Sequence, residues 1–200
     1  MIRNSIYIFL AILFAGCESK TFDSKTSLLR YVSDEDNHLS YQKTINGIDF
    51  ILQYRPTDEM VAIELGESKD QKKINELRTK YYKYMYFNLS MSKNNQELLS
   101  DVADDQGGFS KLTNELLFEM GEKVHLFSPE KDTLAITDFI YPRMYAATKS
   151  TSIMFIYPRD KKLLSKEYMN FTIEDLGFHT GEIKFKINTN PIKNEPSINF

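Results

Sequence analysis

Three histidines, His38, His125 and His179, are the side chains here best suited to ligate a metal or move a proton near neutral pH. They lie far apart, with no His-x-x-x-His pair and no carboxylate at ligand spacing, so no local zinc motif is present. His179 stands in "EDLGFHTGE" between Asp175 and Glu182, whose charges could tune its pKa. A hydrolytic site assembled from distant segments would centre there. His125 falls in a strand-like run and reads as a packed or surface imidazole. The acidic loop "DVADDQGG" offers Asp101, Asp104 and Asp105 as hard oxygen ligands for calcium. EF-hand spacing fails, because Ala103 stands third and no Glu stands twelfth, which leaves a solvated connector as the plainer reading. No metal, cofactor or catalytic residue is expected.

Two further clusters have a possible chemistry and a plainer reading beside it. "YPRDKK", residues 157–162, is a basic turn that could meet an anionic sugar or lipid headgroup, although charge at a strand end commonly serves solubility. Tyr81, Tyr82, Tyr84 and Tyr86 could stack on carbohydrate, but core or rim packing is the usual fate of such rings. Asp132-Thr133-Leu134 resembles an O-glycosylation acceptor tripeptide used on exported proteins by some bacteria. There is no Gly-x-Ser-x-Gly elbow, Ser-x-x-Lys motif, phosphate-cradling glycine loop or dinucleotide fingerprint.

The single cysteine, Cys17, follows a positive start at Arg3 and an unbroken apolar run from Ile6 to Ala15. About ten residues rising about 1.5 Å each cover half of a ~30 Å hydrocarbon core, which suits a secretory signal rather than a membrane span. Phe14-Ala15-Gly16-Cys17 resembles the lipobox of bacterial lipoproteins, in which an aliphatic residue and two small ones precede the cysteine. The resemblance implies cleavage after Gly16, a diacylglyceryl thioether on Cys17 and acylation, such as by palmitate, of the new amino terminus. Phe14 departs from the commoner leucine. An ordinary signal peptide with a free thiol, or an uncleaved anchor, are the alternatives.

Removing residues 1–16 takes away Arg3, leaving 24 basic against 28 acidic side chains, a balance that gives no reason to expect nucleic acid. The remaining 184 residues suffice for one domain with a substantial core. With Cys17 acylated no thiol remains, which excludes disulfides and cysteine nucleophiles.

Residues 17–38 read as the lipidated cysteine and a polar tether, ordered at most around Leu28 to Val32, and residues 39–200 as the globular domain. Asn46-Gly47 predicts a hairpin turn, with Ile48, Phe50 and Leu52 on one face of the second arm. A short helix is expected from Thr57, a longer one from the box Ser68-x-x-Gln71, and another from Asn94-x-x-Glu97. Met85, Phe87, Leu89 and Met91 alternate as a half-buried strand, and Leu112, Leu116 and Leu117 carry a helix over 109–120. From Val124 onward strands dominate. Ile153–Tyr157 suggests a central strand covered on both faces, and the tail after Pro191 reads as irregular.

The expected fold is α+β, a mainly antiparallel sheet with two to three first-half helices on one face, the alternative being a helix-decorated β-sandwich. The expected role is a lipid-anchored, non-enzymatic binding or assembly module on the bacterial cell membrane or outer membrane, facing periplasm or exterior, with a protein or glycan partner. The alternative is an envelope hydrolase around His179.

Overall fold

Phe87 and Phe155 lie on neighbouring strands of one sheet, and both meet Phe171 of a second sheet, at centroid separations of 6.2 and 5.6 Å. This aromatic contact joins two antiparallel sheets across one core. The computed structural model describes residues 19–142 and 148–200, so Cys17 and the expected signal segment lie outside the described residues.

β1 (Thr21–Phe22) leads into α1 (Lys25–Ser33), whose start is capped by Ser24 Oγ accepting from Ser27 N at 3.2 Å. β2 (Ser40–Ile45) and β3 (Ile48–Arg55) form the expected hairpin through Asn46 and Gly47, both at positive φ. α2 (Thr57–Leu65) and α3 (Gln71–Tyr81) then pack on each other around Val61, Leu65, Ile74 and Leu77. The cap of α3 is Asp70, whose Oδ1 accepts from Lys72 N at 2.9 Å, and not Ser68 as expected. A carboxylate at the helix start also meets the positive end of the helix dipole, which favours it over a hydroxyl.

β4 (Tyr84–Lys93) turns back at Asn94-Asn95 into β5 (Gln96–Glu97), before α4 (Leu98–Asp101). Both asparagines have positive φ, 51° and 60°, so the pair read as a helix cap is a hairpin turn. α5 (Gln106–Asn114), a π-helical segment Glu115–Glu119 and α6 (Met120–Lys123) follow, placing Leu112, Leu116 and Met120 in the core. The remainder is β6 (Val124–Phe127), β7 (Thr133–Leu134), β8 (Asp138–Ile140), β9 (Thr151–Pro158), α7 (Lys161–Leu164), β10 (Tyr168–Ile173), β11 (Ile183–Asn188), α8 (Asn190–Lys193) and β12 (Ser197–Ile198).

The first sheet runs β2-β3-β4-β9-β8, with β5 added to β4, and the second runs β11-β10-β6-β7. Every pairing within them is antiparallel, and the fold is α+β. β1 and β12 form a separate parallel pair.

Three further sequence expectations change. The stretch read as a tether is folded from Thr21 on: Leu28 and Val32 of α1 are fully buried in the main core. Two apolar side chains one turn apart suffice to dock a helix, each contributing about 1.5–3 kcal/mol of burial. β9 lies next to the edge strand β8; Ile153, Phe155 and Tyr157 are buried while Met154 and Ile156 are only half-buried. The tail carries α8 and β12, tied down by polar contacts that hydrophobic periodicity does not register.

Candidate functional site

Helix α2 begins at Pro56, which provides no side-chain cap for the exposed amides of the first turn. Glu195, from the C-terminal segment, fills that role. Its Oε2 accepts from Thr57 N at 3.0 Å and its Oε1 from Thr57 Oγ1 at 2.9 Å. Tyr54 OH, at the end of β3, donates to Oε2 at 2.8 Å. Arg159, just past β9, places Nη1 3.3 Å from Oε1 and donates from it to Tyr54 OH at 3.0 Å, while Nη2 donates to Ile192 O at 2.6 Å. Burial, followed by the nearby Glu195 charge, pushes the Tyr54 phenol well above its ordinary range. The carboxylate and guanidinium are thus paired and hydrogen-bonded, as buried charges must be.

One residue further along α2, Asp58 receives a two-pronged contact from Arg78 of α3, Nε at 2.7 Å and Nη2 at 2.6 Å. Asp58 Oδ2 also accepts from Ile198 N at 2.7 Å, and Arg78 Nη2 donates to Ile198 O at 2.8 Å. Glu59, whose side chain is fully buried, pairs with Arg55. The carboxylates of Asp58, Glu59 and Glu195 all gather at the N-terminal turn of α2, where the helix dipole is positive.

Two grooves open over this network. One, of about 550 Å³, runs between Thr57, Arg78, Tyr82, Glu195 and Ser197. The other, of about 530 Å³, lies between Tyr82, Lys83, Arg159, Lys161, Leu164 and Lys193. Tyr82 and Lys83 line both, so the grooves meet along that ridge. Arg159 stacks on the Tyr82 ring, 4.2 Å from its centroid, and Tyr82 is 53% exposed. Arg78, Lys83, Arg159, Lys161 and Lys193 line the two grooves together, against Asp58 and Glu195 in the first alone, an excess of three positive charges on a chain of net charge −3.

The residues singled out in the sequence are distributed differently. Asp175 accepts from Gly177 N, Phe178 N and Gly181 N and so builds its own loop. Burial acts to raise its pKa, but those three amides outweigh it and hold the carboxyl below its ordinary value. His179 takes positive φ, and its carbonyl accepts from Asn46 Nδ2 at 2.5 Å. It lines neither groove. His125 Nε2 is 3.5 Å from Glu174 Oε1, whose carboxyl is held below its ordinary range by Lys123 and then by His125. His38 ends a 3-10 turn in left-handed conformation. The three imidazoles stay in separate places, and no group of three His, Cys, Asp or Glu that could hold a metal occurs among the described residues.

In the acidic loop, Asp101 pairs with Lys93 at 2.7 Å and Asp105 caps α5. The tyrosine run divides: Tyr86 is buried against Tyr81 and Tyr84, whereas Tyr82 faces solvent in the groove. "YPRDKK" contributes Arg159 and Lys161 to the groove, while Asp160 caps α7 and Lys162 pairs with Asp132. Sequence reasoning missed Glu195, Asp58, Arg78 and Lys193. The visible signal was a Glu-Pro pair in a polar tail, which only the fold brings to α2.

No helix among the described residues is long and apolar enough to cross a membrane. No family model matches the chain, and no curated protein matches it. Among solved structures, a Burkholderia pseudomallei protein described as a novel protein of unknown function aligns with a TM-score of 0.43 at 10% identity, over 83% of this chain and 86% of that one.

Proposed function

We propose that this chain is a lipid-anchored bacterial envelope protein, held on the cell or outer membrane through Cys17, that acts by binding a partner rather than by catalysis. The observation that carries the reading is Phe14-Ala15-Gly16-Cys17 at the end of an apolar run, placed only four residues before the first strand at Thr21. Fully extended, that spacing spans at most about 14 Å, so a Cys17 anchor would hold the domain close to the bilayer surface. Two or three acyl chains, each buried methylene contributing ~0.8 kcal/mol, hold a protein on a membrane far longer than one.

Binding is favoured over catalysis because the carboxylates near the grooves, Asp58 and Glu195, are already occupied by Arg78, Arg159 and backbone amides. Tyr82 and three lysines remain to meet a partner. Growth with a clickable fatty acid, comparing the native chain with Cys17→Ala, tests the anchor. The native chain should be labelled and sediment with membranes, and Cys17→Ala should lose both properties. Equal labelling and partition of the two would overturn the proposal.

A further inference from the structure

We infer that the groove bounded by Lys83, Lys161 and Lys193 binds the phosphate headgroup of an anionic phospholipid, an inference that rests on the membrane-anchored reading above. Three features of the groove carry it.

Its charge is uncompensated. Lys83, Lys161 and Lys193 have no ion pair among the described residues, and no carboxylate lines the groove they share. They converge on one groove from three elements: the α3–β4 junction, the start of α7 and the end of α8. Lysine ammonium groups act as point charges that suit phosphate oxygens without demanding a planar fork.

The wall beneath them is fixed and partly apolar. Arg159, with 7% of its side chain exposed, is pinned by Glu195, Tyr54 and Ile192 O and stacks on Tyr82; Leu164 forms another side. A ligand with a phosphate and an apolar portion matches this lining, the phosphate over the lysines and the glycerol or upper chain along Tyr82 and Leu164.

The groove also lies at the anchored end of the domain. Ser197 lines the adjoining groove and pairs in register with Thr21, so the ridge of Tyr82 and Lys83 joins the lysine groove to the strand where the chain enters from Cys17. A headgroup in the anchoring leaflet would be within reach. Each basic side chain near an anionic bilayer contributes about 1 kcal/mol, a factor of roughly five in partition.

The test uses a chain beginning at Ser19, which carries every core residue from Leu28 to Ile198 and lacks Cys17, so the result does not depend on acylation. Binding is read by co-sedimentation with phosphatidylglycerol–phosphatidylcholine vesicles and with phosphatidylcholine alone. Preference for the anionic vesicles is expected, with a loss on the order of 100-fold in the Lys83→Gln, Lys161→Gln, Lys193→Gln triple variant and roughly fivefold in Lys193→Gln alone. Lys69→Gln and Lys72→Gln, exposed and outside the groove, should leave partition unchanged. Thermal unfolding confirms that the variants are folded, and the single variant decides if the triple one is not. Equal partition to both vesicle types, or no loss in the variants, would overturn the inference. Complete release by inorganic phosphate at constant ionic strength would assign the groove to a free anion instead and overturn the lipid as its occupant. Failure here leaves the Cys17 proposal standing, and failure of labelling at Cys17 leaves this measurement intact.

Discussion

Arg159 and Glu195 meet at 3.3 Å with 7% and 11% of their side chains exposed, and the pair ties the end of β9 to the C-terminal segment beneath the grooves. Through Thr57 and Tyr54 the same carboxylate also holds the start of α2 and the end of β3. One side chain thus joins three regions that are remote in sequence: residues 54–57, Arg159 and the C-terminal segment.

Replacing Glu195 by Ala would strand the buried Arg159 guanidinium and uncap α2. The expected loss is about 3–5 kcal/mol of folding stability, the usual cost of breaking a buried pair from one side. Urea unfolding should show a lower midpoint at an unchanged slope.

Asp58→Asn keeps the shape of the side chain and removes the charge that Arg78 and the Ile198 amide share. β12 should open locally before the domain unfolds. With Arg78 38% exposed, water replaces part of what is lost, so a cost of about 1.5 kcal/mol corresponds to roughly tenfold faster exchange of the Ile198 amide, while amides in β4 and β10 keep their protection.

Leu28→Ala distinguishes a folded α1 from a tether. Leu28 is fully buried in the main core, so truncation should cost about 2–5 kcal/mol, measured by thermal or urea unfolding. A tether residue would show no effect.

Tyr54 has its pKa raised by burial and by the Glu195 charge. The folded state therefore keeps this proton where the unfolded chain gives it up. The stability it contributes is complete below pH ~10 and is lost as pH rises toward the folded value, by up to about 1.4 kcal/mol per pH unit. Unfolding free energy should fall with pH above that point, and Tyr54→Phe should flatten the decline. Urea titrations at successive alkaline pH values read the slope directly.

Periodicity made much of the fold legible. Met85 to Met91 and Ile48 to Leu52 alternate because those side chains turn into the core, and both lie where the pattern puts them. Asn46-Gly47 fixed its hairpin because both residues accept left-handed backbone. Asn94 misled because the same side chain can cap a helix or enter a tight turn, and the pairing of β5 with β4 decided between them. Short α1 was obscured because only Leu28 and Val32 mark its buried side. The grooves were least legible. Arg159 and Lys161 read as a basic turn, but their partners Glu195, Tyr82 and Lys193 come from segments that only tertiary structure unites.

The envelope proposal stands or falls on the amino-terminal end of the native protein. Mass spectrometry of the chain purified from its own membranes should find position 17 as the first residue, its sulfur heavier by a diacylglyceryl group. A chain that retains residues 1–16, or one with an unmodified thiol at position 17, would contradict it.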